Sequence, residues 1–327
     1  MNTDTDTDTD TGTTTDTGTD TTTDTSTTTD TDMGTLPPPS LTSLRVSALT
    51  VYPVKGLRGI RVASRRVDPL GLEGDRRWMV VDAEGTFLSQ RSHPAMARVG
   101  TAFVRGGGAA SPRLRLSAPD GSAVEISAEP REGTPVRVTI WDDAVDALAP
   151  SPEADAWMSD YLGTPVRMVY QPDHAVRPTD GAFAPGGQVS FADGYPILLV
   201  TQASLDELNR RLAEPVPMHR FRPNVVVEGD CAPHAEDGWR RIRVGELDLA
   251  GVKRCARCTV TTVDPATGLR GVEPLRTLAL YRAAGGKVWF GQNLVPLLPP
   301  ASGVDASGSW IHEGDPVVVE EDGHVGP

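Results

Sequence analysis

Two of the three cysteines in this chain, Cys255 and Cys258, lie three residues apart. A thiolate in such a pair can bind a soft metal ion or take part in redox chemistry. The segment from 255 to 263 is rich in β-branched residues and is predicted to be extended, so positions an odd number of residues apart point to opposite faces. We therefore expect a single sulfur to serve the site, unless the chain bends between the two.

Three other roles for the cysteines stay open at this point. A structural zinc ion needs four ligands, and the nearest further candidates, Cys231 and His234, form one loose pair. A thioredoxin-like redox pair would lie at a helix N-terminus, which lowers the thiol pKa, whereas a strand is predicted here. The third alternative is a pair of buried structural cysteines.

Three motifs in a defined order make a more specific pattern than the cysteines alone: Tyr52-Pro-Val-Lys-Gly56, Phe221-Arg-Pro-Asn-Val-Val-Val227 and Cys255-Ala-Arg-Cys258. With them the sequence resembles the MOSC proteins, and among these the amidoxime-reducing component branch, over about residues 44 to 322. The resemblance implies a molybdenum cofactor of the molybdopterin form, with one molybdenum atom bound by Cys258. Pyridoxal phosphate binding is associated with this resemblance only at the level of the family.

The resemblance also implies which residues surround the cofactor. Its dithiolene and phosphate are anionic, so the pocket needs positive charge and directional hydrogen-bond donors. The residues that match cofactor-contacting positions of the family are Lys55, Gly56, Arg76, Asp193, Arg222, Asn224 and Arg257. Asp193 either holds the pterin or caps a turn. Gly56 stands where animal members often have serine, so a backbone donor is kept and a hydroxyl is lost. Asn293 stands where they have a tyrosine, on the substrate side of the pocket.

Two functions follow from the resemblance. The first is a molybdenum-dependent oxidoreductase that removes the oxygen of an N–OH group from small N-hydroxylated compounds. Its electrons would come from a separate ferredoxin-, flavin- or cytochrome-type protein, because an iron–sulfur cluster generally needs four cysteine ligands and this chain has three cysteines. The second is a carrier or sulfur-delivery module for the molybdenum cofactor, in which Cys258 would carry a persulfide.

Composition bounds the remaining possibilities. The formal net charge is −13, much of it in a Thr- and Asp-rich segment that we expect to form a disordered tail over residues 1–42. The remainder is mildly acidic, which argues against nucleic-acid binding. The sequence has no apolar run long enough to span a membrane and no basic, apolar leader, so we expect no membrane association and a cytoplasmic location.

The predicted elements indicate a mixed, β-rich (α+β) fold. Strands at 44–54 and 78–82, and a hairpin around Asp120-Gly121, predict a small antiparallel MOSC N-terminal β-barrel-like domain over residues 43–150. The triple glycine at 106–108 is predicted to be a surface turn rather than a phosphate-binding loop.

A helical connector over residues 151–172, with its helix at 154–162, is expected to lead into a MOSC β-barrel domain over residues 173–325. That second domain should contain helices at 204–212 and 274–283. Because Arg222 precedes a proline, it is predicted to be extended and to lead into a strand at 225–227.

Overall fold

The computed structural model describes residues 43–104, 112–298 and 309–323. These residues form nineteen strands, three α-helices and four 3-10 helices, which confirms the mixed, β-rich fold class. The tail predicted at residues 1–42 and the turn predicted at 106–108 lie outside the described residues.

The strands are β1 (Arg45–Val51), β2 (Ile60–Val62), β3 (Ser64–Asp68), β4 (Gly71–Leu72), β5 (Trp78–Val81), β6 (Gly100–Val104), β7 (Arg113–Ser117), β8 (Ala123–Ser127), β9 (Thr134–Ile140), β10 (Asp143–Ala149), β11 (Arg167–Tyr170), β12 (Ile197–Thr201), β13 (Val225–Glu228), β14 (Trp239–Val244), β15 (Leu247–Arg257), β16 (Ala283–Ala284), β17 (Lys287–Pro296), β18 (Trp310–His312) and β19 (Val317–Asp322). The α-helices are α1 (Pro152–Leu162), α2 (Gln202–Asn209) and α3 (Leu275–Arg282). The 3-10 helices span Pro94–Arg98, Met218–Arg220, Ala235–Gly238 and Thr259–Thr262.

The largest sheet has nine strands in the order β19-β14-β15-β17-β12-β13-β1-β2, with β16 paired to β17. β1 and β13 are antiparallel with Leu49 opposite Val225, so the end of β1 lies beside the start of β13. β12 and β13 are parallel with Leu199 opposite the same valine. The segment after β1 and the segments before β12 and β13 therefore meet the sheet at the same end of these neighbouring strands. Most of the predicted site residues lie in these segments.

Three smaller sheets complete the described fold, with strand orders β5-β11-β10-β9, β18-β3-β4 and β6-β7-β8. The hairpin predicted around Asp120-Gly121 is confirmed, because β7 and β8 pair antiparallel across it. Gly121 has φ +89°, a left-handed conformation that glycine adopts without strain. The division into two domains at residues 150 and 172 stays a prediction.

Alternating side chains of the central strands form the core of the large sheet. Val225 and Val227 of β13 are fully buried in one cluster with Leu49 and Leu249. Burying an aliphatic side chain of this size stabilises a fold by about 1.5–3 kcal/mol. The valines from which this strand was predicted therefore also hold β13 in the middle of the sheet, because Val225 and Val227 are buried in the core.

The helices form close to where they were predicted, with shifted ends. α1 starts two residues early, because the Ser151 side chain caps it by accepting a hydrogen bond from the Ala154 amide at 3.3 Å. α2 ends at Asn209, so the predicted end at residue 212 is wrong. There the Asn209 side chain binds both the amide and the carbonyl of Val216 and ties down the loop that follows. Within the described residues, no helix has the length and apolar character needed to cross a membrane.

Candidate functional site

A cavity lined by several separate segments brings the predicted site residues together. Its lining contains Lys55, Gly56, Arg76, Asp193, Arg222, Asn224, Arg257 and Cys258. The neighbouring Cys255 and Asn293 also line it. Residues as far apart in the sequence as Lys55 and Asn293 therefore share one concave surface.

The cysteine segment bends, which corrects the predicted strand. β15 ends at Arg257, and Cys258 is the N-cap of the 3-10 helix Thr259–Thr262. Cys255 and Cys258 both line the cavity, so the expectation that they point to opposite faces is wrong. Their sulfurs nevertheless have different partners, since Arg257 Nη1 lies 2.9 Å from Cys255 Sγ and Arg91 Nη1 lies 3.6 Å from Cys258 Sγ.

The geometry does not supply the ligands of a structural zinc ion. Within the ranges that the structure describes, no three His, Cys, Asp or Glu side chains come close enough together to hold a metal. All three cysteines are free thiols and partly accessible. Cys258 therefore lines the cavity as a free thiol and, within the described residues, is not one corner of a tetrahedral protein site.

Lys55 and Asp193 form an ion pair at the cavity. Lys55 Nζ donates to Asp193 Oδ1 at 2.5 Å and to the Phe191 carbonyl at 2.9 Å. Burial lowers the pKa of Lys55, and the Asp193 carboxylate opposes that shift. Desolvation raises the pKa of Asp193, but the charge and hydrogen bond of Lys55, together with the charges of Arg76 and Arg91, outweigh it, and the pKa of Asp193 lies below its usual range. Among the described residues Asp193 caps no turn through its side chain.

Gly56 has a backbone conformation that requires its residue type. Its φ is +85°, in the left-handed region that favours glycine. A Cβ atom here would lie 2.9 Å from the terminal methyl of Met96. The Gly56 carbonyl accepts a hydrogen bond from Gln90 Nε2 at 2.7 Å, which fixes the peptide at the cavity wall.

Asp75 is a site residue that the sequence reasoning missed. It is 1% exposed, and its Oδ1 accepts hydrogen bonds from the Tyr52 amide at 2.7 Å and from Asn224 Nδ2 at 2.9 Å. Its Oδ2 accepts one from Arg76 Nη1 at 2.5 Å. Burial works to lower the pKa of Arg76, but Asp75, Tyr52 and Asp193 together outweigh it and the pKa is raised. The only clue in the sequence was that Asp75 adjoins a predicted arginine.

Asn224 uses its whole side chain within the protein. Its Oδ1 accepts from Arg76 Nη1 at 3.0 Å and from the Leu198 amide at 3.1 Å. Its Nδ2 donates to the Thr50 carbonyl at 3.1 Å as well as to Asp75. An amide oxygen accepts two hydrogen bonds and an amide nitrogen donates two, so the group is satisfied. In the structure Asn224 links Arg76 to Asp75 and to the backbone of β1 and β12.

Arg76 and Arg222 both stack on the ring of Tyr52. Their guanidinium carbons lie 4.6 Å and 4.3 Å from its centre, and Arg76 Nη2 donates to the Arg222 carbonyl at 3.2 Å. Both have left-handed backbones, with φ +49° and +58°, so the prediction that Arg222 is extended is wrong. The stacking on Tyr52 and a 2.6 Å hydrogen bond from Arg222 Nη1 to the Leu57 carbonyl override the local preference. Burial lowers the pKa of Arg222 to about 10.

Among the buried N–H donors that lack an acceptor in the described part of the chain, two belong to cavity-lining arginines of the motifs that begin at Phe221 and Cys255. They are Nη2 of Arg222 and Nε of Arg257. Arg257 Nη2 donates to the Phe221 carbonyl at 2.5 Å, which fixes the Arg257 guanidinium against the motif that begins at Phe221. A buried donor left unpaired costs about 1–3 kcal/mol, so the arrangement suits an anionic group that accepts from both arginines. The residues present therefore fit an anionic, sulfur-liganded cofactor.

Arg91 and Trp141 were also missed by the sequence reasoning. The Arg91 guanidinium lies 4.3 Å from the centre of the Trp141 ring while it reaches Cys258. Trp141 connects β9 to β10 with φ +56° and packs on Phe87, with 5.0 Å between ring centres. No pattern in the sequence links these residues to a cysteine more than a hundred positions away.

Comparison with known proteins agrees with this architecture. The MOSC N-terminal beta barrel domain matches residues 43–165, and the MOSC domain matches residues 186–318. Mitochondrial amidoxime-reducing component 1 of Xenopus laevis is 30% identical over 285 residues, covering 83% of this chain and 81% of the relative. The Danio rerio protein of that name is 31% identical (83% and 83% covered), and the Homo sapiens protein is 32% identical (72% and 72% covered).

The fold and these two matches define a MOSC protein. The relatives show further that the chain belongs to the family of the amidoxime-reducing components.

Proposed function

We propose that this protein reduces N-hydroxylated compounds with a molybdenum cofactor of the molybdopterin form bound in the cavity. One observation carries the proposal: the soft sulfur of Cys258 shares a cavity with buried guanidinium donors of Arg222 and Arg257 that lack acceptors in the described residues. Thiolate suits a soft metal, and paired guanidinium groups suit phosphate and other anions. The names of the relatives support the same substrate class.

The cofactor, when bound, would supply two-electron oxygen-atom transfer chemistry. Cys258 would be the protein ligand of the metal. Arg222 and Arg257 would bind the anionic part of the cofactor through their free donors, and Gly56 would offer its backbone N–H. Lys55 would keep Asp193 at the cavity wall, next to the pterin.

Arg76 and Asn224 complete the proposed binding set in a different way. Arg76 contributes positive charge, but its hydrogen bonds to Asp75 and Asn224 already use part of its donor capacity. Asn224 is satisfied within the protein, so we assign it the role of holding Arg76 in position. A variant of either residue should therefore alter cofactor binding through the geometry of the cavity.

The substrate would be a small N-hydroxylated compound such as an amidoxime or hydroxylamine, entering on the side of Asn293, whose Nδ2 donates to the Arg254 carbonyl at 3.4 Å. Electrons would come from a separate ferredoxin-, flavin- or cytochrome-type protein. A cytoplasmic location stays a prediction. Pyridoxal phosphate has no place in the proposed reaction.

The test is to express the chain in a host that makes the cofactor and to measure molybdenum, pterin and benzamidoxime reduction with reduced methyl viologen. We expect one molybdenum and one pterin per chain, with turnover that Cys258→Ser abolishes. Substoichiometric metal together with labile sulfur, and no turnover, would instead support a cofactor carrier or sulfur-delivery module. Absence of both metal and pterin would contradict both functions.

A further inference from the structure

Arg177 lies behind the cavity wall and binds the segment that presents Asp193. The residue is 4% exposed. Its Nη1 donates to the carbonyls of Ser190 at 3.0 Å and Ala192 at 2.6 Å, and its Nη2 donates to the carbonyl of Asp193 at 3.2 Å. One guanidinium group thus holds three carbonyls within four residues of chain.

Asp143 holds this guanidinium from the opposite side. Arg177 Nε donates to Asp143 Oδ2 at 2.7 Å, and Asp143 is the first residue of β10. A charge-assisted hydrogen bond of this length fixes the plane of the guanidinium group. The position of the segment 190–193 is therefore tied to the β9–β10 hairpin.

The planarity of the peptide bond turns these contacts into a constraint on the cavity. In a trans peptide the carbonyl and the following N–H point in opposite directions. The Ser190 carbonyl points to Arg177, and the N–H of the same peptide, on Phe191, donates to the Arg76 carbonyl at 3.0 Å. The Phe191 carbonyl in turn accepts from Lys55. The segment is held between Arg177 on one side and two cationic cavity residues on the other.

The next two peptides follow the same rule. The carbonyls of Ala192 and Asp193 point to Arg177, so the N–H groups of Asp193 and Gly194 point away from it. Neither N–H donates to an acceptor among the residues that the structure describes, and both residues line the cavity. Adjacent free N–H groups form a surface that favours anions.

We propose that Arg177 is a positioning residue that orients the peptides of residues 190–194 toward the group bound in the cavity. It does so without lining the cavity itself. The identity of that group rests on the function proposed above, whereas the orientation of the segment does not. The positioning role therefore predicts one effect in the cofactor-free chain, on the backbone of residues 190–194, and a second effect on how firmly the cofactor is bound.

The variants are Arg177→Gln, which removes the charge, Arg177→Lys, which keeps the charge but cannot span three carbonyls, and Asp143→Asn. Asp146→Asn is the matched control, because Asp146 lies on the same strand and pairs with exposed Arg137 at the surface. The first measurement is hydrogen exchange of the Phe191 amide in cofactor-free protein. The second is the rate at which cofactor-loaded protein loses molybdenum on dialysis.

We expect Arg177→Gln to accelerate both hydrogen exchange at Phe191 and loss of molybdenum by roughly ten- to a hundredfold. This is the change expected when a hydrogen bond from a charged group is lost. Arg177→Lys and Asp143→Asn should give intermediate values, and Asp146→Asn should match the wild type. Exchange of the Leu199 amide in the neighbouring β12 should not change, which separates a local effect from general unfolding.

Wild-type exchange at Phe191 in a folded Arg177→Gln protein would overturn the proposal, and so would unchanged molybdenum loss despite faster exchange. If Arg177→Gln does not fold, Arg177→Lys and Asp143→Asn decide the matter by the same two measurements. A wild-type protein that contains no molybdenum would contradict the proposed function alone, because exchange at Phe191 still tests the positioning role in the cofactor-free chain.

Discussion

Arg91 reaches the sulfur of Cys258 from 167 positions earlier in the sequence, with 3.6 Å between Nη1 and Sγ. Trp141 supports this contact, because the Arg91 guanidinium lies over its ring. The sulfur that we propose as the metal ligand is thereby contacted by a residue of the turn between β5 and the 3-10 helix Pro94–Arg98.

This contact leads to the prediction that Arg91→Ala lowers molybdenum occupancy under cofactor-limiting conditions by roughly tenfold, since a hydrogen bond to a charged group contributes about 1.5–3 kcal/mol. Trp141→Ala should have a smaller effect in the same direction, because a cation–π contact at a partly exposed site contributes about 0.5–2 kcal/mol. Arg137→Ala on β9 is the control, and full occupancy in Arg91→Ala would contradict the assigned role.

The two cysteines should differ sharply in function although both line the cavity. Cys258→Ser should abolish benzamidoxime reduction, because a hydroxyl is a poor replacement for a soft thiolate ligand. Cys255→Ser should be much milder, since Arg257 keeps its hydrogen bond to the Phe221 carbonyl. Molybdenum content and viologen-driven turnover of both variants provide the measurement. A folded but inactive Cys255→Ser protein would show that both sulfurs are required.

Tyr52 should act through its ring rather than its hydroxyl. The hydroxyl is buried and has no hydrogen-bond partner in the described residues, and burial raises its pKa to about 12. We therefore expect Tyr52→Phe to keep both stability and cofactor. Tyr52→Ala removes the surface on which Arg76 and Arg222 stack and should cost about 3–5 kcal/mol in the free energy of unfolding. Denaturant titration of both variants measures the free energy of unfolding. Equal values for Tyr52→Phe and Tyr52→Ala would contradict a stabilising role of the ring.

The lowered pKa of the buried His234 imidazole leads to a prediction of how stability depends on pH. Burial lowers its pKa to about 4 from an ordinary value of 6.5, so between these values the unfolded chain binds more protons at this position. Its contribution to stability is therefore present above pH 6.5 and is lost as the pH falls toward 4. His234→Asn is the suitable variant, because residue 234 has φ +65° and asparagine tolerates that conformation.

The measurement is the free energy of unfolding of the wild type and of His234→Asn at several pH values from 7 to 4. The difference between the two proteins should shrink as the pH falls, since only the wild type loses the contribution of a neutral, buried imidazole. A difference that stays constant over this range would mean that His234 does not titrate as its surroundings suggest.

The sequence by itself predicted several of the strands and several of the residues that line the cavity. The run of valines at 225–227 and the Asp120-Gly121 turn are local patterns, and they predicted β13 and the β7–β8 hairpin because pleat alternation and turn chemistry involve only a few neighbouring residues. The motifs around Lys55, Arg222 and Cys258 likewise identified residues that the fold brings to one surface.

Only the tertiary structure decided how those residues are held. Asp75, Arg91 and Arg177 became visible through contacts with partners far away in the sequence, and no local pattern encodes such contacts. The same contacts overrode local preference where the two conflicted. Arg222 takes a left-handed backbone before a proline because stacking on Tyr52 and a hydrogen bond to the Leu57 carbonyl together outweigh the intrinsic tendency to be extended.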